Sequence, residues 1–271
     1  MTAKPRLDAE LVRRGLARSR QHARELVAAG RVKVAGLVAT KPASGVDMQV
    51  SLVVDDGETA EHDGYVSRGA HKLIGALDGF PDVAVAGRRA LDAGASTGGF
   101  TDVLLRRGAD PVIAVDVGYG QLAWRLRTNP RVVVLERTNV RTLTPDAIGG
   151  PVELVVADLS FISLTLVLPA LAAVAVPGAD LLLMVKPQFE AGRERVGRGG
   201  VVRDPDVRRD TVLDVARAAG AAGLDVHGVH PSPLPGPAGN VEYFLWMRRG
   251  IPGLVDDEIE TAVRRAVQES A

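Results

Sequence analysis

One stretch decides the fold: Asp92-Ala93-Gly94-Ala95-Ser96-Thr97-Gly98-Gly99-Phe100-Thr101, DAGASTGGFT in one-letter code. It follows Ala90 and Leu91, which read with Asp92 as a short buried strand over 90–92. Small residues from Gly94 to Gly99 let the backbone turn sharply and come close to a ligand. The helix expected over 99–107 then turns its N-terminal amides toward the same point. The strict G-x-G-x-x-G spacing of dinucleotide binders is missing, which disfavours a pyrophosphate ligand. Asp116 ends the next strand 24 residues after Asp92, about where an acid would grasp ribose hydroxyls.

Outward from this turn, strands and helices alternate. Strands are expected over 112–116, 132–135, 154–158, 181–186, 224–229 and 241–247, and helices near 120–127, 163–175, 206–219 and 256–268. Such alternation implies an α/β, Rossmann-like fold with a mainly parallel sheet covered on both faces and ligands at the carboxyl ends of its strands. Leu164 to Val185 is apolar enough to suggest a membrane, but it contains Pro169, Pro177, Gly178 and Asp180. It reads better as a buried helix, a turn and a buried strand.

Of 33 basic residues only five are lysines, and beyond Lys41 only Lys72 and Lys186 remain. Arginine stays charged at any biological pH, whereas a desolvated ammonium can give up its proton. A lysine retained in this background is a candidate for chemistry, with chance survival as the plain alternative. Lys186 ends the 181–186 strand. Asp158 ends the preceding one, and Glu242 opens the next after the Pro/Gly-rich segment 231–239. Lys72 lies on a helix leading into the same domain. Two lysines and two acids at one sheet edge are either an ion-pair network or a catalytic set.

The chain has no cysteine, so disulfides, thiolate nucleophiles and cysteine-bound metals are excluded. Five histidines without ligand spacing give no metal site. Met1 to Pro5 leads into no apolar signal core, so a cytoplasmic protein without stable membrane association is expected. No protein partner is evident. The net charge of zero conceals an asymmetry: residues 1–50 hold ten basic and four acidic residues, a net of +6, against −6 over 51–271. A basic head on an acidic body suggests a polyanion-binding module.

That head has its own pattern. Leu7, Leu11, Val12 and Leu16 fall at helical spacing, and Ser19 can cap a second helix carrying Ala23, Leu26 and Val27. A hairpin follows around Ala35 and Gly36, then a short strand at 50–54. Arg13, Arg14, Arg18, Arg20, Arg24, Arg31 and Lys33 would decorate one compact surface. The arrangement resembles the S4 RNA-binding domain, which grips structured RNA through phosphates and shape. It is a small α+β unit over 1–55, and a linker over 56–66 joins it to the body at 67–271.

The glycine turn and Asp116 together look like the S-adenosylmethionine site of class I methyltransferases. The order Lys72, Asp158, Lys186, Glu242 looks like the K-D-K-E tetrad of FtsJ-type ribose 2′-O-methyltransferases. With the S4-like head, YVSRG at Tyr65–Gly69, VADLSFIS at Val156–Ser163, VKPQFE at Val185–Glu190 and NVEYF at Asn240–Phe244, the chain resembles the TlyA family over nearly its whole length. The resemblance implies methylation of cytidine 2′-hydroxyls in ribosomal RNA, 16S, 23S or both, with ribosomal subunits as partners. It places the methyl donor against Asp92, Gly94, Ala95, Ser96, Thr97, Gly98, Gly99, Phe100 and Asp116. Phe161 lines that pocket or is a plain core aromatic. Lys186 is the candidate base or orienting group, with Asp158 and Glu242 positioning the ammonium groups and Lys72 holding the nucleotide. Arg6, Arg14, Arg18, Arg20, Lys33, Lys41 and Arg68 are the candidate RNA contacts.

Two rival functions stand beside this one. An S4-bearing pseudouridine synthase would need no methyl-donor site, which the 92–100 turn argues against. A membrane-active cytolysin, suggested because some family members are named haemolysin, is opposed by the prolines and Asp180 in the apolar stretch.

Overall fold

Seven strands form one sheet, and the glycine turn leaves its third strand at the edge where the parallel strands end. The computed structural model describes residues 4–14, 16–17, 19–47, 50, 52–54, 64–197 and 199–270. The head begins with helices α1 (Leu7–Arg13) and α2 (Arg20–Ala28). Ser19 caps α2 by accepting from the His22 amide at 3.1 Å, as Ser/Thr side chains do for otherwise unpaired first-turn amides. Strands β1 (Val32–Val34), β2 (Leu37–Val38) and β3 (Leu52–Val54) make a small antiparallel sheet ordered β2-β1-β3. Leu7, Leu11, Ala23, Leu26, Val32 and Leu52 close a separate core beneath it.

The body follows in chain order: α3 (Gly69–Gly79), β4 (Ala90–Ala93), α4 (Gly99–Arg106), β5 (Val112–Val115), α5 (Trp124–Arg127), β6 (Val132–Leu135) and β7 (Val152–Ala157). Then come α6 (Leu168–Val174), β8 (Ala175–Val185), α7 (Pro187–Glu190), α8 (Pro205–Ala221), β9 (Leu224–Pro231), β10 (Tyr243–Arg249) and α9 (Asp256–Glu269). The sheet runs β6-β5-β4-β7-β8-β10-β9. Its pairings are parallel except those of β10, which runs against both neighbours. Strand alternation sends Leu181, Leu183 and Val185 to the face covered by α6, α8 and α9. Leu182 and Met184 point to the opposite face, against α3 and α4.

Two local expectations are corrected. The helix expected over 120–127 shrinks to α5, because Gly118 and Gly120 keep the preceding chain in a loop and Gly120 adopts φ +68°. The turn expected inside 164–185 is absent: β8 starts directly after α6 and absorbs Pro177 and Gly178. The β7 ladder slips there, passing from Val152↔Ala175 to Leu154↔Asp180, and such irregularities accommodate proline and glycine in a strand. Tyr243 and Phe244 are fully buried, so the aromatic run of β10 is sheet core. The linker expected over 56–66 lies mostly outside the described residues. Among those residues, no helix is long and apolar enough to cross a membrane.

Candidate active site

The carboxyl edge of the sheet is assembled from consecutive strand ends. Ala93 pairs with Ala157 in parallel register, which sets Gly94 beside Asp158. A Cβ at Gly94 would lie 2.8 Å from the Asp158 carbonyl oxygen, and its φ of +87° belongs to glycine. The turn then passes through Ser96 at φ +48° and Gly98 at φ +99° into the first turn of α4. Side chains at Gly98 and Gly99 would strike Leu126 and Ser67 respectively. The backbone is therefore cradled from both sides.

Asp92 is fully buried. Its Oδ2 accepts a hydrogen bond from the Thr101 hydroxyl at 2.6 Å, while Oδ1 is buried with no hydrogen-bond partner. Burial pushes this carboxyl up to about 7, because a charge in that position has lost its water. Asp116, just past β5, is held differently. Its two oxygens accept from the Ser96 amide at 2.8 Å and the Gly118 amide at 2.7 Å. This fixes an acid at the rim of a cavity of about 620 Å³ lined by Gly94, Ser96, Asp116, Asp158, Ser160 and Phe161, among others. Phe161 is 89% exposed, so it is no core aromatic. It sits at φ +64° with its ring 5.3 Å from that of Phe189.

A glycine cradle that no side chain could enter, an oriented rim acid and an unpartnered buried carboxyl oxygen fit a nucleoside-bearing methyl donor. Gly94, Ser96, Asp116 and Phe161 line the cavity where such a donor would sit, while Asp92 is fully buried behind the turn. Ala95, Thr97, Gly98, Gly99 and Phe100 shape the turn. Phe100 itself is buried and stacks on Phe244 at 6.1 Å, beneath the cavity.

The tetrad resolves into two ion pairs. Lys186 Nζ lies 2.5 Å from Asp158 Oδ1, and Lys72 Nζ lies 2.5 Å from Glu242 Oε2. Both lysines and Glu242 are buried. Glu242 precedes β10 rather than opening it. Because Tyr243 pairs with Val185, the antiparallel direction of β10 brings its start to the edge where β8 ends, so Glu242 faces Lys186. Lys72 arrives from α3 on the other side. A Cβ at Gly236 would lie 2.6 Å from Glu242 Oε1, which accounts for the glycine in that proline-rich approach.

Sequence reasoning missed two neighbours. Lys186 Nζ donates to Ser160 Oγ at 2.9 Å, and Gln188 Nε2 lies 3.4 Å from Glu242 Oε1. Each stands two residues from a tetrad member, the one signal that could have found it. The quoted motifs also gain structural reasons. Glu190 accepts from Ser163 Oγ at 2.5 Å and from the Leu164 amide at 2.8 Å, and burial raises its pKa. Asn240 ties the loop that precedes α8 to the sheet by accepting from the Val202 amide at 2.9 Å and donating to the Gly200 carbonyl at 2.8 Å.

The candidate RNA contacts divide. Lys41 is exposed, and Lys33 and Arg68 are half-buried. The Arg6 and Arg20 side chains are about half exposed on the head. Arg18 lies outside the described residues. Arg14 is corrected: its side chain is buried, paired with Glu10 at 2.7 Å. It donates to the Val50 carbonyl at 2.7 Å and to the Tyr119 carbonyl at 3.2 Å. It fastens the head to the body instead of facing outward, helped by Gln121 Nε2 donating to the Arg14 carbonyl at 3.1 Å.

Comparison with known proteins agrees with this geometry. The FtsJ-like methyltransferase family profile matches residues 65–249, and the S4 domain profile matches residues 5–50. The chain is 62% identical over 271 residues, 99% of both chains, to the 16S/23S rRNA (cytidine-2′-O)-methyltransferase TlyA of Mycobacterium tuberculosis. It is 35% identical over 242 residues to Hemolysin A of Brachyspira hyodysenteriae, covering 88% of this chain and 98% of the relative. A solved structure from Streptococcus thermophilus, also bearing a hemolysin name, is 39% identical. It aligns with 100% of this chain and 98% of its own at a TM-score of 0.71. The chain, S4 head included, belongs to the TlyA family of FtsJ-like methyltransferases.

Proposed function

We propose that this methyltransferase methylates the 2′-hydroxyl of cytidine in ribosomal RNA, working on ribosomal subunits in the cytoplasm. One observation carries the reading. Asp158 lines the donor cavity and also pairs with Lys186 at 2.5 Å, so methyl donor and acceptor chemistry meet at one residue. The choice of cytidine rests on the similarity to the mycobacterial enzyme.

Bound S-adenosylmethionine supplies an electrophilic methyl group. The protein must hold a poorly acidic ribose hydroxyl in line with it and give the proton somewhere to go. Lys186 stands at the strand end for this task, with Asp158 and Ser160 fixing the direction of its ammonium group. Lys72, restrained by Glu242, supplies a second cation that steadies the nucleotide. Asp116 would hold the donor at the cavity rim, and the 92–101 turn keeps side chains out of the cavity. The head grips RNA through phosphate contacts, among which Arg6, Arg20, Lys33, Lys41 and Arg68 are our candidates.

The direct test incubates the protein with tritiated S-adenosylmethionine and separated small and large ribosomal subunits, then maps modified riboses by nuclease resistance and mass spectrometry. Label on a cytidine 2′-oxygen is expected. Label on a base, or none on either subunit or on free ribosomal RNA, would overturn the proposal.

A further inference from the structure

Asp8 has no accessible surface, yet arginines converge on it from the residue before α1 and from α2. Arg6, immediately before α1, forks onto it with Nε 3.1 Å from Oδ1 and Nη2 3.0 Å from Oδ2. Arg20 places Nη2 at 3.3 Å and 3.2 Å from the two oxygens. Arg24, one turn further along α2, donates its Nε to Oδ2 at 3.4 Å. The three arginine side chains keep 48%, 53% and 51% of their surface exposed.

This is an unusual way to stabilise a small core. Burying a carboxylate costs several kcal/mol in desolvation, and an apolar residue often serves stability as well or better. The arrangement has a clear use outside the core. Each guanidinium has five N–H donors, more than Asp8 takes from any of them. An unrestrained arginine carries about 2 kcal/mol of rotamer entropy that must be given up when it clamps a phosphate. A carboxylate that forks with Arg6 and tethers Arg20 and Arg24 by one nitrogen each removes part of that cost while leaving the cluster with a net positive charge.

We propose that Asp8 is a positioning residue, holding Arg6, Arg20 and Arg24 as a ready-set clamp for RNA phosphates. The inference rests on reading the head as the RNA grip. It makes a prediction opposite in sign to simple electrostatics. Asp8→Asn adds one positive charge to the cluster, so charge counting alone has RNA binding tighten.

The experiment measures binding of the full-length protein to a 23S ribosomal RNA transcript across a salt series. Asp8→Asn is expected to bind about tenfold more weakly, with a salt slope shallower by about one phosphate contact. S-adenosylmethionine binding should stay unchanged, and the head should remain folded at the assay temperature although losing the ion pairs that hold the Asp8 carboxyl low costs some stability. Equal or tighter RNA binding by Asp8→Asn, with Arg20→Ala clearly weakened, overturns the positioning role alone. If both variants bind as the parent does, the head is not the grip, and both readings fall. Should Asp8→Asn unfold the head, Asp8→Glu replaces it, keeping the charge while displacing the carboxylate by one methylene. Several-fold weaker binding supports the clamp, and parental affinity overturns it.

Discussion

Lys186 and Asp158 lie 2.5 Å apart across the ends of adjacent parallel strands. The acid of this pair lines the cavity proposed for the donor, so the position of the ammonium group depends on the same loop that shapes that cavity's wall. Lys186→Arg keeps the charge but spreads it over a planar fork that stays protonated. Methyl transfer to ribosomal subunits should fall at least about 100-fold, the lower range for losing a general acid–base group. S-adenosylmethionine affinity and melting temperature should barely change. Turnover within a few-fold of the parent would remove Lys186 from the proposed chemistry.

Glu242→Gln strands the Lys72 ammonium in the interior. Breaking a buried pair by removing one partner costs about 3–5 kcal/mol, so the urea midpoint should drop sharply. Adding Lys72→Met should recover much of that stability while leaving methyl transfer abolished. A single variant as stable as the parent would show that the pair is not sealed from water as its burial indicates.

Gly94→Ala puts a methyl group 2.8 Å from the Asp158 carbonyl at a φ that disfavours it. Strain of this kind costs on the order of 1–3 kcal/mol. Displacement of Asp158 should also weaken S-adenosylmethionine binding at least about tenfold, read by calorimetric titration. Parental affinity would dissociate the turn from the donor site.

Asp92 gives a signed pH dependence. Its carboxyl rises on folding from the ordinary 3.8 to about 7, so between those values the native state holds a proton that the unfolded chain has released. Stability contributed by this group therefore falls as pH rises from about 4 to about 7 and is level above. A rise of that size corresponds to about 4 kcal/mol. Asp92→Asn should remove the slope and gain stability over the parent at pH 8 relative to pH 4. Parallel stability curves for the two proteins would contradict the assignment.

Much of this site was legible because parallel strands end at one edge, so Asp92, Asp116, Asp158 and Lys186 could be placed by counting. Three things were not. Pairing between particular lysines and acids depends on β10 running backwards, which periodicity does not report. Arg14 carries the same charge as its exposed neighbours, and only its tertiary acceptors, the Val50 and Tyr119 carbonyls, turn it inward. Ser160 and Gln188 acquire meaning only when loops from different strands meet.

The reversed strand has a consequence for how the molecule is made. β10 lies between β8 and β9 in the sheet, although both precede it in the chain. The Lys72–Glu242 contact closes a sequence separation of 170 residues, a long-range pairing of the kind that slows folding. Glu242 reaches Lys72 only when the reversed strand is paired between β8 and β9. The contact between Lys72 and Glu242 thus spans most of the body's length, from its first helix to the residue before its last strand.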